Sequence, residues 1–270
     1  MPKTTNSACL ERLACYPEVI QERAEHDPMN DGVSYDIHGR VMLDAVRMAM
    51  LAAHKASPSN ILDFPSGYGR ALRYLRAEFP EAKLSAGDID HRAVDFCAST
   101  FGATPIYSRE HSRDIELAGG YDLIWCGSFL THLDAAMWDE FLDLFVSVLA
   151  PGGLFVFSTP GRYIASVVKD PDKAAGWAKV LGNDHLRLQL LDGYESGFGY
   201  IEYPTQDPTN PSRYGLALAR PSWVLQRIER REQLQMTSYT EGRWGAQDVI
   251  GCVKVTGISE RESAVQHTLG

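Results

Sequence analysis

Residues 60–70, Asn-Ile-Leu-Asp-Phe-Pro-Ser-Gly-Tyr-Gly-Arg, decide how the chain is read. Asn60–Phe64 is a short apolar run ending in a turn, which predicts a buried strand. Pro65–Gly69 is a glycine-bearing loop, and Arg70–Phe79 reads as a helix stopped by Pro80. Glycines at 67 and 69 let the backbone turn sharply and lie close to a ligand. The helix that follows presents free N–H groups, which suit an anionic group.

The same alternation continues downstream. Lys83–Ala86 is a second strand running into Gly87-Asp88. Arg92–Phe101 is a helix, Thr104–Tyr107 a third strand and Tyr121–Cys126 a fourth. Ala135–Leu149 carries one apolar stripe (Trp138, Phe141, Leu142, Phe145, Val148), ended by Pro151-Gly152-Gly153, and Leu154–Thr159 returns as a fifth strand. Strands alternating with helices of this length make βαβ units. Upstream, Arg40–Lys55 reads as a helix. Downstream, Pro221–Arg231 is helical, and Leu234–Tyr239 and Gln247–Val255 form a close antiparallel pair joined by a Glu241–Gly245 turn.

The expected fold is therefore α/β: a Rossmann-like, doubly wound sheet of about seven strands, parallel with an antiparallel C-terminal strand. An insertion follows the fifth strand, where the βα rhythm breaks. The expected division is residues 1–59 as an N-terminal helical lid, 60–160 and 217–258 as a cofactor domain, 161–216 as a substrate cap and 259–270 as a loose tail.

Composition narrows the function. The chain has 270 residues, 44% hydrophobic and 23% charged, ordinary values for a globular protein. Twenty-six basic against 35 acidic residues give a net charge of −9, poorly suited to nucleic acid. Arg227, Arg230 and Arg231 read as a solvated helix face. No apolar run approaches the ~18 residues of a membrane span, and the first residues lack the apolar core of a secretory signal. A cytoplasmic location is expected, as a monomer or homodimer. Five scattered cysteines form no CxxC pair, so neither disulfides nor a metal site is expected.

In an open parallel sheet, ligands bind beyond the carboxyl ends of the strands. Asp88, nineteen residues after Gly69, suits a ribose diol. Asp90 suits the N-cap of the next helix. The third glycine of a dinucleotide fingerprint is replaced by Leu72, which favours a nucleoside without a pyrophosphate.

Four segments in order, NILDFPSGYGR (60–70), AGDID (86–90), YDLIWCGSFLTHL (121–133) and LAPGGLFVFST (149–159), resemble the class I S-adenosylmethionine-dependent methyltransferases. Their pattern is an LD-x-G-x-G-x-G loop, an acid ending the second strand, a (F/Y)DL(I/V) fourth strand followed by HL, and an L(K/A)PGG turn. The departure is Phe64-Pro65-Ser66, where the family carries an apolar residue, Gly, and Cys or Ser. The resemblance implies S-adenosylmethionine as cofactor. It implies that Asp63, Phe64, Pro65, Ser66, Gly67 and Gly69 cradle the amino-acid end, that Asp88 holds the ribose, and that Ile89 and Asp90 border the adenine. Gly127 and Ser128 would lie below the sulfonium, and the loop Glu110–Ser112 would approach the adenine.

His132 is the candidate base or substrate contact, against a purely structural role in the loop. Tyr35, Tyr200, Tyr203 and Trp244 are the candidate substrate contacts; the rings of residues 194–203 either line an acceptor pocket or close the cap's own core. The expected reaction is methyl transfer to oxygen or nitrogen of a small-molecule acceptor. The competing readings are an NAD(P)-dependent oxidoreductase and a non-catalytic cofactor binder.

Overall fold

The computed structural model describes residues 15–30, 32–177, 181–203 and 214–255. The expected tail, 259–270, and the outer part of the N-terminal lid lie outside them.

The elements in order are α1 (Val33–Ala52), β1 (Asn60–Asp63), α2 (Leu72–Glu78), β2 (Lys83–Asp88), α3 (His91–Phe101), β3 (Thr104–Tyr107), β4 (Tyr121–Cys126), α4 (Ala135–Val148) and β5 (Leu149–Thr159). Then come α5 (Arg162–Lys169), α6 (Pro171–Ala174), α7 (Asp184–Glu195), β6 (Phe198–Glu202), β7 (Gly215–Ala219), α8 (Pro221–Glu229), β8 (Leu234–Trp244) and β9 (Gln247–Lys254). Seven strands make one sheet in the order β3-β2-β1-β4-β5-β9-β8. The first five run parallel, and β9 is antiparallel to both β5 and β8. The α/β Rossmann-like expectation holds.

Strand alternation sends side chains into two layers. In β1, Ile61 faces the α1, α2 and α3 side, while Leu62 faces α4 and α8. On the α4 side Trp138, Phe141 and Phe145 are fully buried, as the helical stripe predicts. Between α5 and β7 lies a third cluster around Leu190, Tyr194, Ile201 and Leu218, backing the two-stranded β6–β7 sheet. Tyr194 thus closes the cap's own core.

Several boundaries differ from expectation. Helix α1 begins at Val33, not Arg40, because Tyr35 and Gly39 continue its buried face. Gly39 hides that periodicity in the sequence; a Cβ there would run into the Tyr74 ring, so glycine allows α1 to lie against α2. Strand β5 begins at Leu149 through an irregular pairing with Tyr121. The β8–β9 turn is Gly245-Ala246, both at positive φ (55° and 67°), where a tight hairpin wants them, rather than Glu241–Gly245. The small sheet runs to Ala219, beyond position 216. Arg227 and Arg231 do not form a solvated face: they pair with Asp139 at 2.7 and 3.2 Å, and Arg231 reaches Asp143 at 2.7 Å. Their long stems lie along α4 and carry the charge to its acids.

Helices α1 and α2 are joined by a buried, bidentate pair, Arg47 to Glu78, at 3.1 and 2.6 Å. Removing one partner leaves an uncompensated buried charge. Arg47→Ala should therefore lower unfolding stability by about 3–5 kcal/mol, read from urea denaturation.

Candidate functional site

The carboxyl ends of β1 to β4 open onto one cavity of about 960 Å³, at the upper end of small-molecule sites, which run to roughly 1,000 Å³. The loop after β1 is built by short hydrogen bonds. Ser66 N–H donates to the Gly87 carbonyl (2.8 Å), Gly67 N–H to Asp88 Oδ2 (2.8 Å), and Gly69 N–H to the Ser66 carbonyl (3.0 Å). Gly67 and Gly69 hold φ of 48° and 79°. A Cβ on Gly69 would meet the Phe101 ring, so this position needs glycine on two counts. The Cys97 thiol donates to the Gly67 carbonyl at 3.3 Å.

Pro65 stands where a glycine was expected, after a cis peptide bond. The preceding Phe64 N–H still pairs with the Trp125 carbonyl (2.9 Å), so strand β1 is not shortened. The Phe64 ring lies beneath Gly87 and packs edge-on against Phe129 (5.3 Å) and Phe145 (5.4 Å).

Three acids surround this loop. Asp88 accepts from Gly67 N–H and, at 3.0 Å, from Asp90 N–H, so both flanking loops fix its carboxylate. Burial pushes its pKa up, and those backbone donors oppose the rise. Asp63 is wholly buried, and neither of its oxygens has a hydrogen bond of ordinary geometry. Burial, then the nearby Asp88, holds its carboxyl well above the usual range. Asp90 caps α3 through Arg92 N–H (3.0 Å), and its other oxygen accepts from the Tyr68 hydroxyl (3.1 Å).

Beyond β4, Ser128 sits at φ 59°. A closed ring of hydrogen bonds holds it there. Its N–H donates to Ser158 Oγ (2.8 Å), Ser158 Oγ to Gln247 Oε1 (2.7 Å), and Gln247 Nε2 to Ser128 Oγ (3.0 Å). Gly127 leaves room for the Trp125 indole, which a Cβ would strike.

His132 lines the same cavity and is tied to the cap. Its Nδ1 lies 2.9 Å from the Gly215 carbonyl and 2.8 Å from the Tyr203 hydroxyl, and its ring stacks on Tyr214 at 4.4 Å. A carbonyl can only accept, so Nδ1 carries the hydrogen and Nε2 the lone pair. Burial lowers the His132 pKa from 6.5 to about 4, so the ring is neutral at pH 7.

Most of the expected residues meet here: Phe64, Pro65, Ser66, Gly67, Asp88, Ile89, Asp90, Glu110, Gly127, Ser128, His132 and Trp244 all line the cavity. Asp63 and Gly69 shape it from behind. Tyr35 lies elsewhere, fully buried, its hydroxyl accepting from Arg73 (2.9 Å) and its ring beneath Arg23 and Arg73. Tyr200 sits on β6 opposite Ala217, outside the lining, and Tyr203 contacts His132 rather than the cavity. His111 and Ser112 also lie outside the lining; Ser112 N–H binds Glu140 (2.7 Å). Asp27–Met29, Tyr68, Arg70, Ser108, Arg109 and Tyr214 line the cavity without having been singled out. Tyr68 could have been found from its place between the two loop glycines. Asp27 and Tyr214 carry no local signal, since only the chain's return over the sheet brings them in.

A family model described as "Methyltransferase domain" matches residues 62–155. Among solved structures, the chain is similar to an S-adenosylmethionine-dependent methyltransferase from Clostridium acetobutylicum ATCC 824. The TM-score is 0.55 at 14% identity, over 83% of this chain and 95% of that one. It is also similar to the plantazolicin methyltransferase BpumL in complex with S-adenosylhomocysteine (TM-score 0.52, 12% identity, 94% and 91% covered). A third likeness is to the N-methyltransferase NodS from Bradyrhizobium japonicum WM9, also with S-adenosylhomocysteine (TM-score 0.50, 15% identity, 92% and 97% covered). No curated protein sequence matches. The fold likeness and the family model agree with the resemblance carried by the four sequence segments.

The half-buried His132 makes stability depend on pH. Its folded pKa of about 4 lies below the ordinary 6.5, so the unfolded chain takes up the proton first. The stability this neutral ring contributes is complete above pH 6.5 and is lost as pH falls toward 4. Urea midpoints should show a loss of about 2 kcal/mol from this residue between pH 7 and 5, and His132→Gln should lack that component.

Proposed function

We propose that this chain, which carries a methyltransferase domain on the class I fold, transfers a methyl group from S-adenosylmethionine to oxygen or nitrogen of a small-molecule acceptor. The observation that carries the reading is that one cavity joins the glycine loop, the Asp88 carboxylate and a neutral histidine.

The cavity's own chemistry fits the cofactor. Asp88 is aimed by two backbone N–H groups, and an ionised carboxylate can accept both hydroxyls of a ribose. At Gly67 nothing lies within 4 Å of where a Cβ would sit, so a ligand can approach the backbone closely. Ile89, beside Asp88, is exposed and apolar, suited to an adenine face. Leu72 is wholly buried where a dinucleotide fingerprint needs glycine, which disfavours a nicotinamide cofactor.

S-Adenosylmethionine, when bound, supplies a methyl group already activated on a sulfonium. The protein's work is then positioning, plus removal of a proton when the acceptor holds one tightly. Asp88 and the Ser66–Gly69 backbone fix the donor, and Ser128, locked by Ser158 and Gln247, forms the wall beside it. His132 acts as the base: its Nε2 lone pair takes the proton as the acceptor's O–H or N–H bond breaks. Tyr203, Gly215 and Tyr214 hold the ring, so the cap that selects the acceptor also aims the base. The net charge of −9 favours a neutral or cationic small molecule over nucleic acid.

S-Adenosylhomocysteine at a hundred times its Kd should stabilise the chain by about 2.7 kcal/mol in a thermal shift, and NAD should not. Asp88→Ala should abolish the shift. A shift with NAD alone would reject the reading. Once a panel of phenols, carboxylates and amines yields a substrate, His132→Gln should lower kcat by about 10²–10⁴ and leave S-adenosylhomocysteine affinity intact.

A further inference from the structure

Asp27 is an acid of the cavity wall that lies outside the glycine loop and the strand ends. It belongs to the irregular segment ahead of α1 and, with Pro28 and Met29, shares the cavity wall with Tyr68, Arg70 and Ala71. Its side chain is only 8% exposed. Its place is fixed from several directions. Met29 N–H donates to Asp27 Oδ1 (2.8 Å), and Asn30 N–H donates to the Asp27 carbonyl (3.1 Å). Arg23 grips Asn30 and Asp36, and the buried Arg73 binds the Ile20 carbonyl (2.8 Å).

Among the described residues, Asp27 makes no ion pair. Its carboxylate faces the cavity with no ion pair to a protein cation, so it can meet a positive charge that a ligand brings. The loop beside it, Ser66–Ala71, is where the amino-acid end of the cofactor is expected. That end carries an α-ammonium group, ionised at neutral pH. Asp63, the acid of the loop itself, is a poor counter-ion: it lies behind the cavity lining, and burial favours its neutral form.

We propose that Asp27 is the counter-ion for the α-ammonium group of the cofactor. This inference rests on the cofactor assignment above. It assigns the segment over the cavity a chemical role: selecting ligands that bear the charged amino-acid end against nucleosides that do not.

The test compares two ligands and one isosteric change. S-Adenosylhomocysteine and 5′-methylthioadenosine share the adenosine and the thioether, and only the first has the ammonium group. Asp27→Asn keeps the acceptor oxygen for Met29 N–H and removes the charge. By isothermal titration calorimetry, Asp27→Asn should weaken S-adenosylhomocysteine binding by about tenfold or more and leave 5′-methylthioadenosine within about twofold of the unmodified chain. Retained nucleoside binding also shows that the variant is folded. Equal losses for both ligands, or no loss for either, would overturn the inference while leaving the cofactor assignment standing. Failure of the unmodified chain to bind S-adenosylhomocysteine would overturn both.

Discussion

The hydrogen bond from Gly67 N–H to Asp88 Oδ2 is the contact on which the site depends. It joins the turn after β1 to the end of β2, so the two strands' register becomes the geometry of the cavity. Because Asp88 is also bound by Asp90 N–H, one carboxylate sets the loop on its left and the helix start on its right. A backbone that donates to a fixed acid cannot drift, and Gly67 and Gly69 are the residues whose φ lets it reach. At Pro65 the packing is carried by the Phe64 ring and its strand pairing, not by residue 65.

The second organising constraint runs between the cap and the loop after β4. His132 is held by Gly215, Tyr203 and Tyr214, all from the one end of the β6–β7 pair where Glu202 meets Gly215. Tyr203 N–H pairs with the Tyr214 carbonyl at 3.1 Å, which closes the hairpin directly above the histidine. The cap has its own apolar cluster, so its fold does not rely on the cavity's contents.

Much of this was legible in the sequence, for physical reasons. Strands β1, β2, β3 and β4 and helix α4 follow from apolar spacing, and the glycine loop and Asp88 from the turn chemistry of an open sheet. What escaped was whatever depends on long-range return of the chain. Asp27 and Tyr214 show no periodicity; they matter because segments far away in sequence fold over the same opening. Tyr35 reads in the sequence as a candidate substrate contact, yet it is fully buried with two arginines stacked on its ring. The early start of α1 was hidden by Gly39, whose small size is what lets the helix approach Tyr74. The roles of Arg227 and Arg231 were hidden because their partners, Asp139 and Asp143, lie on a helix nearly ninety positions earlier.

The position of β9 carries a consequence for how the protein is made. This strand comes last among the described elements, yet it sits inside the sheet, between β5 and β8, and brings Gln247 to Ser128. On a ribosome, β1 to β5 can pair as they emerge, but β8 has no neighbour in the sheet until β9 follows it. The wall at Ser128 closes only then. The nascent chain must hold the edge of β5 unpaired until nearly all of these residues are out. That interval of exposed strand, and not the βα units before it, is when the chain is most open to wrong pairing or to capture by a chaperone.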